Sequence, residues 1–114
     1  MMDARRMEVY TAVFDSSKHW VEATSALVLS QDSFKEFLKD QTAFVLGDGA
    51  QKFKELSPEI NAVFPSETFY PKAIDMIGLV WEKFNSQSFE SLAYFEPFYL
   101  KDFQTIPPKK NLGV

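Results

Sequence analysis

Cysteine is absent from the 114-residue chain, and histidine occurs once, at His19. The first absence removes disulfides, thiolate nucleophiles, Cys-ligated zinc and iron–sulfur clusters together, and one imidazole cannot make a metal site by itself. Positive charge is in deficit: 12 Lys and Arg against 16 Asp and Glu leave a net charge of −4. Such a field repels polyanions and gives direct nucleic-acid binding little footing. No apolar run approaches the roughly 18 residues that span a bilayer, and the cationic start, Met-Met-Asp-Ala-Arg-Arg, has no apolar stretch behind it. These absences predict a cytoplasmic chain with no cofactor and no nucleic-acid or membrane partner of its own.

What is abundant is aromatic. Twelve Phe, four Tyr and two Trp are enough for one dense core with a surplus for a second buried surface. Alternation from Arg6 to Phe14 places Met7, Val9, Thr11 and Val13 on one face and predicts a strand. Asp15-Ser16-Ser17-Lys18 has turn composition, so His19 to Leu29 is expected to return as an antiparallel partner, irregular around Ala23 to Ser25. Ser33 followed by Glu36 forms a possible capping box ahead of a short helix bearing Phe34, Phe37 and Leu38. The apolar run Thr42 to Leu46, the turn Gly47-Asp48-Gly49 and the helical spacing of Phe53 and Leu56 read as strand, turn and helix. Asn61 to Phe64 then supplies a parallel strand.

Tyr70 to Asn85 carries the strongest helical signal, with Pro71 in its first turn. Ala73, Ile74, Ile77, Val80, Trp81 and Phe84 form a stripe expected to be core, and Gly78 is expected to mark close packing. From Phe89 the chain is aromatic and extended, a segment that should lie on an apolar surface. The expected division is one lobe over residues 1–104 and a flexible tail over 105–114, with an α/β layer arrangement built on a mixed sheet.

Few residues suggest chemistry. Glycines after an apolar strand can let a phosphate or ribose approach the backbone, which makes Gly47, Asp48 and Gly49 a candidate nucleotide turn. They complete neither a dinucleotide fingerprint nor a P-loop, and Asp48 would repel a phosphate, so a structural turn is the favoured reading. Arg5 and Arg6 would point to opposite faces of a regular strand and cannot clamp one acidic ligand. His19 has no nucleophile or carboxylate assigned near it by spacing. No catalytic or metal-binding residue is predicted.

Three segments taken together resemble the second half of the TsaB (YeaZ-like) proteins: Asp3-Ala4-Arg5-Arg6-Met7-Glu8-Val9-Tyr10, Gly47-Asp48-Gly49-Ala50, and Glu96-Pro97-Phe98-Tyr99-Leu100. The resemblance implies a single RNase H-like (actin-like ATPase) lobe. It also implies a non-catalytic role beside a TsaD-like catalytic subunit and a TsaE-like ATPase in making threonylcarbamoyladenosine on tRNA. The chain is then expected to be a C-terminal lobe standing alone, without the first lobe that carries most of the family's pairing surface. Alternatives are a small homo-oligomeric interaction module, a vestigial nucleotide-binding lobe or a glycoprotease-like hydrolase. The last needs a metal-binding His pair, and the chain has one His.

Overall fold

Residues 1–101 are described by the structure, a computed structural model. The elements are β1 (Met2–Asp3), β2 (Glu8–Phe14), β3 (Trp20–Val28), α1 (Lys35–Leu38), β4 (Ala43–Phe44), α2 (Ala50–Leu56), β5 (Ala62–Val63) and α3 (Ile77–Asn85), the last entered through a 3-10 turn over Ala73–Met76. β1, β2 and β3 form an antiparallel sheet in that order, and β4 pairs with β5 in parallel, Ala43 opposite Ala62 and Phe44 opposite Val63. The mixed α/β class, the hairpin and the parallel pair all match the sequence expectation.

β1 was not expected, and it changes the start of the chain. Met2 pairs with Tyr10 and Asp3 with Val9 across a tight turn in which Arg5 and Arg6 have φ values of 68° and 50°. Two successive positive φ values suit the right-handed twist of a hairpin, but arginine carries none of the glycine or asparagine signal that announces such turns. Arg6 is therefore a turn residue rather than the first residue of a strand. Asp3 accepts the Arg5 backbone N–H and closes the turn locally.

In the β2–β3 hairpin, Asp15 accepts the backbone N–H groups of Ser17 and His19, each at 2.8 Å. The register shifts twice beyond Thr11, and both extra residues fall in β3, which matches the irregularity expected around Ala23. The predicted Ser33 cap fails. Ser33 Oγ accepts the N–H of Ser30, and Phe34 stands at the helix start with a φ of 63° and no side-chain cap. A turn bond three residues back has replaced the capping bond.

Val9, Leu29, Leu38, Val45, Ala50 and Phe53 form the buried core, with Thr11 buried beside them. Alternation along β2 accounts for Val9 and Thr11 facing inward together. Phe53, fully buried from α2, meets Phe34 edge-on at 5.4 Å and Phe64 at 6.2 Å.

Past residue 65 the sequence expectation is corrected at four points. α3 buries none of its residues, and Trp81, expected in the core, is 63% exposed. Gly78 has open space around it rather than a close neighbour. The aromatic run from Phe89 forms no strand or helix among the described residues, and Phe98 is 86% exposed rather than lying on an apolar surface. Helix also begins later than expected. Lys72 is extended, and the Asp75 carboxylate accepts its N–H at 2.9 Å. A radius of gyration of 18.5 Å, against about 13 Å for a closely packed chain of this length, reflects the unpacked arm. The expected tail over 105–114 lies outside the described residues.

Candidate functional site

The candidate turn lies where β4 gives way to α2, and β1 is its neighbour. Met1 donates its terminal amine to the Leu46 carbonyl, Gly49 donates its N–H to the Met1 carbonyl at 3.3 Å, and Asp3 donates its N–H to Asp48 Oδ1 at 2.9 Å. β1, at the edge of the antiparallel sheet, thus lies against the turn that joins β4 to α2, while β4 and β5 form a separate parallel pair.

That contact explains both glycines without a ligand. A Cβ on Gly47, whose φ is +102°, would fall 1.9 Å from the Met1 carbonyl oxygen. One on Gly49 would fall 2.9 Å from Val9 Cγ1 and 3.1 Å from the Met2 carbonyl carbon. The close approach that sequence reasoning allowed for a phosphate is made instead by the chain's own first strand. Asp48 is likewise engaged with Asp3.

Asp3 links this corner to α2. Lys52 Nζ lies 2.7 Å from Asp3 Oδ1. That hydrogen bond first, and the Arg5 N–H second, hold the Asp3 carboxyl below its ordinary value of 3.8. The Met1 amine is pushed below its ordinary 8.0 because burial outweighs the attraction of Asp48. The hollow beside the turn, lined by Leu46, Asp48, Gln51, Lys54 and Phe69 among others, has a volume of about 60 Å³. It has room for a few waters and not for a nucleoside. A wider groove of about 480 Å³ opens at the other end of α2, lined by Lys35, Leu38, Leu56, Pro58 and Ile60 with others.

His19 is an exposed turn residue 3.5 Å from Asp15. Arg5 and Arg6 sit together in the β1–β2 turn. No group of three or more His, Asp and Glu among the described residues could hold a metal ion, and no described helix is long and apolar enough to cross a membrane. The feature that sequence reasoning misplaced is the aromatic stripe of α3, whose signal was legible but whose exposure was not. No protein-family model matches the chain, and no curated protein matches it significantly.

Proposed function

We propose that the chain is a non-catalytic scaffold lobe of TsaB type, supporting a TsaD-like catalytic subunit and a TsaE-like ATPase in tRNA threonylcarbamoyladenosine modification. The observation that carries a binding role is the uncovered apolar face of α3 and the arm after it. Ile74, Ile77, Val80, Trp81 and Phe84 share the helical stripe, and all five are exposed. A contiguous apolar surface of this kind on a folded chain marks an interaction site. Trp81 and Phe84 stack at 5.8 Å, and Phe89 meets Phe84 edge-on at 5.9 Å, so the rings form a preassembled cluster.

An antiparallel three-stranded sheet beside a parallel strand pair, in a mixed α/β chain, supports an RNase H-like lobe. The glycine turn filled by β1 favours a structural lobe over a nucleotide-binding one. The specific partners rest on the sequence resemblance.

The test mixes the purified chain with purified TsaD-like and TsaE-like proteins and follows complex mass by light scattering. A complex that forms with the native chain and is lost in Ile77→Asp/Trp81→Asp, with the sheet signals unchanged, supports the proposal. Absence of a complex with either protein would falsify the partner assignment. Self-association alone, abolished by the same substitutions, would favour the homo-oligomeric module.

A further inference from the structure

The turn between β1 and β2 holds two arginines in a costly conformation, and the fold makes no use of their side chains. Arg5 and Arg6 have φ values of 68° and 50°, a left-handed backbone that disfavours every residue with a bulky side chain. The turn closes through its backbone: Glu8 donates its N–H to the Arg5 carbonyl and Ala4 donates to the Glu8 carbonyl, each at 3.1 Å. Glycine or asparagine would serve that closure better than either arginine. Both arginines are exposed, and among the described residues neither forms an ion pair. Strain with no return in intrachain contacts points to a role outside the fold.

The carboxylates that would neutralise this pair are already engaged. Lys52 from α2 holds Asp3, and Lys101 holds Glu8. Arg5 acts on Asp3 through space only, and Arg6 and Lys101 repel each other, so the cations share one corner of the molecule. Lys52 and Lys101 cancel the two carboxylates, and the surplus of two positive charges is Arg5 and Arg6. Against a net charge of −4 for the whole chain, that leaves −6 elsewhere. The objection that adjacent residues face opposite ways holds for a strand and lapses in a turn. Consecutive Cα atoms lie about 3.8 Å apart, well within the reach of two arginine side chains meeting one short ligand.

We propose that the Arg5-Arg6 turn is a recognition site for a short acidic segment of a partner protein, each guanidinium taking one carboxylate. Arginine suits this task better than lysine, because its planar fork meets both oxygens of a carboxylate at once. The charge of the chain selects among anions. Screening within about 8 Å at physiological salt confines the attraction to the corner itself. A strand of many phosphates would meet the surplus with one or two of them and the remaining −6 with the others, whereas two carboxylates on a short peptide match the surplus and end there. Met7, 43% exposed beside the arginines, gives such a segment an apolar contact. The site goes beyond the α3 interface and uses none of its residues.

The experiment titrates the full chain with the end-blocked peptide Asp-Glu-Gly-Asp-Glu and, separately, with a uridine pentanucleotide, reading arginine Nε–H resonances and Kd. The expected result is that the peptide shifts the Arg5 and Arg6 signals. Arg5→Lys/Arg6→Lys should weaken it at least about fivefold, because charge is kept and the fork is lost. Arg5→Gly/Arg6→Gly should abolish binding and raise Tm, since glycine accepts the left-handed backbone. Unshifted arginine signals overturn the site. Equal affinity in the lysine pair overturns fork recognition, and a lowered Tm in the glycine pair shows that the arginines serve the fold. Oligonucleotide binding at the same resonances as tight as the peptide's overturns the assignment to an acidic protein segment. None of these readouts involves α3 or TsaD-like or TsaE-like proteins, so failure here and failure of the scaffold reading are distinguishable.

Discussion

Two helices of this chain carry apolar stripes, and only one of them is buried. In α2, seven residues long and flanked by parallel strands, Phe53 is completely enclosed. In α3, nine residues long and more apolar, no residue is buried. The difference lies in what the neighbouring elements supply. α2 follows β4 through a tight turn and is returned to the sheet by β5, so Phe53 lands on Phe34, Phe64 and Val9. α3 follows an irregular stretch from residue 66 to 72, and among the described residues no strand follows it to draw it back. Helical periodicity reports which face needs covering, and topology decides whether the chain itself covers it.

The sharpest break of this comparison is truncation of one ring in each helix. Phe53→Ala should cost about 3–5 kcal/mol, the range for deleting a buried aromatic ring. Trp81→Ala should change chain stability by less than about 1 kcal/mol, since its ring loses a local stack on Phe84 and little burial. Paired thermal or denaturant melts check both. Equal losses would mean that α3 is packed in solution. Once a partner complex forms, the order should reverse in binding measurements, with Trp81→Ala weakening the complex.

The glycines give a second contrast of smaller size. Gly47→Ala combines a positive φ with a clash against the Met1 backbone, which has no flexible side chain to yield, and should destabilise by more than about 1 kcal/mol. Gly78→Ala places a methyl in open space within a helix and should stabilise α3 by roughly 0.5–1 kcal/mol. Circular dichroism at the helical band reports the second, and melting of the sheet region the first.

Legibility in the sequence follows the same division. The hairpin, the strand–turn–helix unit and the parallel pair were readable because alternation, turn composition and glycine act locally. β1 was not readable, because two residues cannot establish a period and Arg5-Arg6 is a poor advertisement for a hairpin turn. For the same reason Arg6→Gly should stabilise by about 1 kcal/mol, relieving a left-handed arginine, with Tm as the measure. At the candidate site, the structural reading of Gly47-Asp48-Gly49 was available from its incomplete motif. That β1 fills the approach depends on a pairing more than 40 residues apart, which no local pattern encodes.

The smallest expected effects are electrostatic and belong to the sheet region. Asp3 has a lower pKa folded than unfolded, through Lys52 and the Arg5 N–H. Its contribution is therefore present above the ordinary value of 3.8 and is lost as pH falls through the folded pKa. Met1 runs the other way. Burial lowers its amine pKa below 8.0, so the unfolded chain binds the proton more readily. Stability then rises with pH from the folded pKa up to 8.0. Melts at low salt from about pH 3 to pH 9 should show an acid-side loss that Asp3→Asn flattens and an alkaline-side gain that N-terminal acetylation removes. A flat profile above neutrality in the unmodified chain would mean that the amine is not buried and that β1 does not sit against the glycine turn.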